Sequence, residues 1–185
     1  MMRKAAFILV AVALASAAAL AQKAPNFAGT WTLDKERSEL NDRSRIEAMT
    51  MTVAQTADSL EVATETKRIA PQSGGQGPAG GRGGLGGGGR FGGGDGKFTY
   101  SLTERETTSE QATPRGPVPV TLTAKLDGTT LKLTQKRTFS GQMGEVTATS
   151  NEEWSLSADG KTLTVKRSLA GPMGTNTSTL VFTKQ

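Results

Sequence analysis

Asp127-Gly128-Thr129-Thr130-Leu131-Lys132-Leu133-Thr134-Gln135-Lys136-Arg137 runs on to Gly141-Gln142-Met143-Gly144, and Asp159-Gly160-Lys161-Thr162-Leu163-Thr164-Val165-Lys166-Arg167 runs on to Gly171-Pro172-Met173-Gly174. Each copy is a turn, a strand in which aliphatic residues alternate with polar ones, a second turn and a return strand. Asp-Gly ahead of such a run favours a tight hairpin turn, because glycine takes positive φ without steric cost. A weaker third copy begins at Asp58-Ser59-Leu60 and ends at Lys67-Arg68. There a glycine-rich stretch takes the place of Gly-x-Met-Gly, so it reads as an expanded hairpin tip, and the strand from Lys97 should pair back onto the strand ending near Arg68.

Outward from the repeat, the same period of two recurs along the chain. Phe27, Gly29, Trp31 and Leu33 share one parity, as do Met49, Met51 and Val53, then Leu60 and Val62, then Phe98, Tyr100 and Leu102. Val118, Val120, Leu122, Ala124 and Leu126 follow. Leu131 and Leu133 come next, then Val146, Ala148, Trp154 and Leu156, then Leu163, Val165 and Leu169, and last Leu180 and Phe182. Only Ser38 to Ile46 suggests a helical turn. About nine strands can be traced in sequential antiparallel order. The fold class is therefore all-β, a single antiparallel up-and-down meander of about eight to ten strands, closed into a barrel because closure removes sheet edges.

Composition agrees with this. The chain has 185 residues, 22 Lys+Arg, 17 Asp+Glu, no Cys and no His. Disulfide scaffolds, thiol nucleophiles, imidazole bases and His- or Cys-ligated metals are excluded, and no metal or cofactor motif is present. Residues 1–21 read as a secretory signal: Arg3 and Lys4, an uncharged Ala/Leu/Val-rich run from Ala5, then Ala19-Leu20-Ala21 as a small-x-small cleavage site. The run is short and Ala-rich for a retained anchor, so no integral membrane span is expected after cleavage. The mature chain, 22–185, would keep 20 basic against 17 acidic residues. That charge of +3 serves solubility and is no nucleic-acid footprint. Removing the signal leaves about 29% apolar residues, enough for strands that bury one face and too few for helices buried all round. Nothing in the sequence specifies an oligomeric state.

Fifteen of the 23 glycines fall between Gly74 and Gly96. Residues 70–96 carry no apolar pattern and are expected to form a flexible loop inserted in the single domain. Gly81-Arg82-Gly83-Gly84 and Gly89-Arg90-Phe91-Gly92-Gly93 resemble Arg-Gly-Gly segments that bind single strands. Two cations and one ring in an exported protein make nucleic acid an unexpected partner. Gly-x-Gly-x-x-Gly matches in the stretch have no following helix and carry no dinucleotide signal.

Asn26-Phe27-Ala28-Gly29-Thr30-Trp31-Thr32-Leu33-Asp34, just after the signal, resembles the opening Gly-x-Trp strand of lipocalin-like barrels. With Ser38 and the later Trp154-Ser155-Leu156-Ser157-Ala158-Asp159-Gly160-Lys161-Thr162-Leu163-Thr164, the pattern is similar to small secreted bacterial lipocalin-like (calycin-type) proteins whose functions are mostly unassigned. The resemblance implies that Trp31 plugs the closed end and that the barrel has a small-molecule cavity; it does not by itself imply transport.

Candidate site residues come from polar side chains that share the apolar parity. Gln135 and Arg137 continue Leu131-Leu133, Ser150 and Glu152 lie between Ala148 and Trp154, and Arg167 lies between Val165 and Leu169. Pairing Leu131 with Trp154 and Trp154 with Leu163 brings Glu152 and Arg167 within diagonal reach. Arg137, Arg167, Glu152 and Gln135, with Tyr100, are the candidate ligand-binding group. A guanidinium stays charged and grips an oxyanion with two hydrogen bonds. The competing reading turns the Lys-Arg pairs outward as edge charges through a bulge, or has the arginine satisfy Glu152. Glu152 and Glu153 point to opposite faces and cannot cooperate as acid and base, and Glu104 and Glu106 share a face near a solvated strand end, so catalysis is not expected. Asn176-Thr177-Ser178 matches a glycosylation acceptor by pattern alone. Two functions fit: a non-catalytic secreted or periplasmic barrel binding a small apolar or amphipathic, anionic ligand, and an envelope-associated structural or adhesive module using the Gly-rich loop.

Overall fold

The computed structural model describes residues 24–40, 45–69, 95–113, 116–141, 144–172 and 174–185. Ten strands follow one another: β1 (Gly29–Asp34), β2 (Ile46–Gln55), β3 (Ser59–Arg68), β4 (Gly96–Ser101), β5 (Thr107–Thr113), β6 (Gly116–Asp127), β7 (Thr130–Gly141), β8 (Gly144–Leu156), β9 (Thr162–Gly171) and β10 (Gly174–Lys184). The sheet order is β4-β3-β2-β1-β10-β9-β8-β7-β6-β5, and every hydrogen-bonded neighbour runs antiparallel. The pairing of β1 with β10 brings the first and last strands together, and the meander forms a nearly closed up-and-down barrel. Among the described residues its one discontinuity lies between β4 and β5, which share no backbone ladder.

The period of two holds strand by strand. Trp31, Met49, Met51, Val53, Leu60, Val62, Phe98, Tyr100, Val120, Leu122, Leu131, Leu133, Trp154, Leu163, Val165, Leu180 and Phe182 are all buried, each on the parity read from the sequence. Leu126 is the exception and stays exposed: it is the next-to-last residue of β6, beside the two-residue turn Gly128-Thr129 that joins Asp127 to Thr130.

The lower end, where β1 starts and β10 finishes, is plugged by aromatic rings. Phe27 crosses beneath the barrel, its N–H bonded to Gln55 Oε1 at 2.8 Å and its carbonyl accepting the Trp31 indole N–H at 2.9 Å. Its ring meets Trp154 edge to face, with centroids 6.0 Å apart. Lys184 Nζ lies 5.2 Å from the centre of the Trp31 ring. Trp31 and Leu60 are 0% exposed and Trp154 is 1% exposed, so almost no water-sized sphere touches them from outside or from a void. The lower half is filled by its own side chains.

Three expectations need correction. The strand Thr107–Thr113 has no counterpart in the sequence reading, because its inward positions are Thr107, Ser109 and Gln111 and give no apolar alternation. No residue described between Ser38 and Ile46 is helical: residues 35–38 are bends and Ile46 opens β2. Ser38 Oγ instead stitches this bend to β10, accepting from Val181 N at 2.8 Å and donating to Asp34 O. Trp154 pairs with Val165, and Leu156 with Leu163, so β9 is shifted by two residues from the expected register. The cause is the turn: Ser157 N bonds Thr162 O and Ser157 Oγ accepts from Thr162 N, which gives a four-residue connection. A shift of two keeps every side chain on its face.

The strand after the Gly-rich stretch does pair back, Thr64 with Gly96 through to Ser59 with Ser101. The signal segment 1–21 and the stretch 70–94 lie outside the described residues. No helix among the described residues is long and apolar enough to cross a membrane.

Candidate functional site

Above the filled lower half, the inward positions turn polar. Three rows build the layer. Leu133, Glu152 and Arg167 stand opposite one another across β7, β8 and β9. Thr107, Leu122, Gln135, Ser150 and Leu169 form the next row from β5 to β9, and Ser109, Val120, Arg137 and Ala148 the one above. Antiparallel pairing places such residues side by side on one face.

All five residues singled out from the sequence reach this layer. Arg137 is 2% exposed and points inward, whereas Lys136 and Lys166 point out, so the outward-turned reading of the Lys-Arg pairs is overturned for Arg137. Its Nε donates to Gln111 Oε1 at 2.7 Å and its Nη2 to Gln135 Oε1 at 2.6 Å, while the guanidinium sits 5.9 Å from the Phe98 ring centre. Gln135 in turn donates from Nε2 to the Tyr100 hydroxyl, a bond that crosses the barrel from β7 to β4. Arg167 Nε donates to Glu152 Oε1 at 2.8 Å, and the other carboxylate oxygen accepts the Trp154 indole N–H at 2.8 Å. Part of the competing reading therefore holds: Arg167 does satisfy Glu152. The shifted register sets the two directly opposite, where the sequence reading expects a diagonal.

Burial sets the electrostatics. Desolvation pushes the Tyr100 hydroxyl well above its ordinary pKa, and the Glu152 charge adds to this, so the phenol stays neutral and able to donate. Burial also lowers the Arg137 pKa, though a guanidinium starts so high that it keeps its charge.

Gln111 and Ser150 belong to the layer as well. Gln111 escapes a reading of the sequence because its strand does; Ser150 is visible there by parity. The Ser150 hydroxyl is buried and has no hydrogen-bond partner among the described residues. In the row above the layer Gln111 stands opposite Val118, and Val118, Phe139 and Val146 are only half-buried, as is Leu169 in the row of Ser150.

The remaining carboxylates do not converge. Glu153 faces outward opposite Lys132 and Lys166. Glu104 is exposed and lies 3.7 Å from Lys125, and Glu106 is exposed. Among the described residues no group of His, Cys, Asp or Glu is placed to hold a metal ion. A surface concavity lined by Ala48, Thr50, Glu65, Thr66, Lys67 and Asp95 lies beside β2 and β3, away from the polar layer.

No family model and no curated protein matches the sequence. Among solved structures, the chain is similar to zebrafish ileal bile acid-binding protein complexed with cholic acid, at 12% identity and a TM-score of 0.46, over 86% of this chain and 98% of that one.

Proposed function

We propose that the protein is a non-catalytic binder of a small amphipathic molecule with one anionic group. That group sits in the polar layer, and the apolar part lies against Val118, Phe139, Val146 and Leu169. The observation that carries this reading is a surplus of donors. Glu152 uses both oxygens, and the side-chain oxygens of Gln111 and Gln135 are taken by Arg137. The Ser150 hydroxyl, the Tyr100 O–H and the terminal nitrogens of Arg167 have no acceptor among the described residues. A buried layer rich in donors and short of acceptors is complemented by an acceptor-only group such as a carboxylate. Two guanidiniums against one carboxylate favour the same sign of charge.

The N-terminal signal supports a location outside the cytoplasm, in the periplasm or the medium, with the mature chain starting at Gln22. The resemblance to small secreted bacterial lipocalin-like proteins agrees with that location. The second reading, a structural or adhesive module with no internal ligand, draws support from the filled lower half and from the equally complete cover of Val120, Leu122, Ala148, Ser150 and Arg137 in the polar layer, each 2% exposed or less.

Fluorescence titration with dansylundecanoic acid and its methyl ester separates the two readings. The acid should bind at least about tenfold more tightly than the ester, and Arg137→Met should erase that preference. Equal affinity for acid and ester, or no binding of either by the folded protein, rejects the anionic-ligand reading.

A further inference from the structure

We propose that the anionic group enters from the side, through the seam between β4 and β5, with Gln111 guarding the passage. This rests on the ligand-binding reading above and adds the route.

Every other pair of neighbouring strands is joined by a backbone ladder, so opening the wall there breaks several hydrogen bonds at once. At the seam there is none. Across it, Thr107 Oγ1 donates to the Thr99 carbonyl at 3.0 Å. The strand behind the seam is also unlike the others: the inward residues of β5 are Thr107, Ser109 and Gln111, all polar and all half-buried, so solvent reaches them. Two of them stand level with the polar layer, Thr107 in the row of Gln135 and Ser150 and Ser109 in the row of Arg137, and Gln111 lies one row above, opposite Val118. Gln111 bridges from this edge strand to Arg137 Nε at 2.7 Å.

Physical cost favours this route over one down the barrel axis. The side chains of Val118, Phe139 and Val146 offer a charged group no hydrogen bond as it passes, which is expensive. The seam offers two hydroxyls and an amide along the way, ending at a guanidinium. An incoming oxyanion displaces Gln111 from Arg137 and takes over its donor, so the amide holds the cation until the ligand arrives.

The chain has no cysteine, so Ser109→Cys supplies a single thiol inside the seam. Without any ligand, this thiol should react with the anionic reagent methanethiosulfonate ethylsulfonate within about tenfold of the rate of an exposed Thr99→Cys control. Protection of about a hundredfold or more in a protein with native circular dichroism overturns the seam route. After labelling of the Thr99→Cys variant, at the outer lip of the seam, with a bulky maleimide, association and dissociation of dansylundecanoic acid should slow together by at least about tenfold, because the label blocks the route from outside the polar layer. Unchanged rates overturn the route.

Thr107→Val, which removes the bond to Thr99, provides a second variant; it should speed association and dissociation together, and rates equal to those of the unaltered protein count against the seam. An unaltered protein that binds neither the acid nor the ester, whatever the reactivity of the Ser109→Cys thiol, rejects the ligand reading and, with it, the role of the seam as a ligand route. A protected thiol in a Ser109→Cys protein that binds the acid rejects the seam and keeps the ligand reading.

Discussion

Glu152 on β8 and Arg167 on β9 stand directly opposite one another, with Arg167 Nε 2.8 Å from one carboxylate oxygen and the Trp154 indole N–H donating to the other over 2.8 Å. The carboxylate is nearly buried and the guanidinium keeps a little exposure. Removing Arg167 leaves Glu152 charged and held by one neutral donor. Arg167→Met should therefore cost about 2–3 kcal/mol in urea denaturation, below the full cost of breaking a wholly buried pair. Adding Glu152→Gln to that variant should restore most of the loss, since a neutral amide no longer needs a cation. Equal stability of the single and double variants would count against a charge-driven loss.

Gly29 opens β1 with φ +139°, and a Cβ built there would lie 2.6 Å from Lys184 Cε. Two penalties are separable. Lys184 is flexible and can give way, whereas the backbone conformation is disfavoured for any L side chain. Gly29→Ala should destabilise by about 1–3 kcal/mol, and Lys184→Ala in the same chain should recover only a minor part. Full recovery in the double variant would assign the loss to the clash with Lys184.

The Ser38 hydroxyl closes the bend after β1, accepting from the buried Val181 N–H and donating to Asp34 O, with Val181 O a longer second acceptor at 3.4 Å. Ser38→Ala leaves the Val181 N–H without that acceptor and should cost about 1–3 kcal/mol. Hydrogen exchange of the Val181 amide should accelerate by more than the global loss of stability explains. An unaltered exchange rate at that amide would show that the hydroxyl is not its essential partner.

Alternation is legible because period two is written into each strand independently of its neighbours, so Trp31, Leu163 and even the buried Arg137 fall on the correct face. Register is not, because it depends on the turn. Asp159-Gly160 resembles Asp127-Gly128, yet Ser157 Oγ closes a four-residue connection in one case and Gly128-Thr129 forms a two-residue one in the other. The edge strand β5 escapes for another reason: with Thr107, Ser109 and Gln111 facing a polar layer, it needs no apolar stripe. Gln111 therefore cannot be found without the fold, while Arg137 beside it can.

Tyr100 is the chain's sole tyrosine, so its ionisation can be read without interference from a second phenol. Burial raises its pKa above the ordinary 10.0, with the Glu152 charge adding to the shift. The unfolded chain loses this proton at ordinary tyrosine pH and the folded chain holds it higher. The stability contributed by the neutral phenol is thus fully present below about pH 10 and falls away as pH rises past the folded value, so the alkaline limb of the stability curve carries it. Sign and window follow from the proton count: above about pH 10 the folded state binds more protons than the unfolded one, and rising pH then favours unfolding. Tyrosinate absorbance near about 295 nm should stay flat through about pH 10 and then rise in step with loss of β-sheet circular dichroism, because ionisation and unfolding are coupled. Tyr100→Phe should remove the phenol-linked part of the alkaline destabilisation while losing the bond from Gln135. A tyrosinate signal that appears at ordinary pH with the barrel still folded would show that the phenol is open to solvent, and the donor set assigned to the polar layer would have to be redrawn.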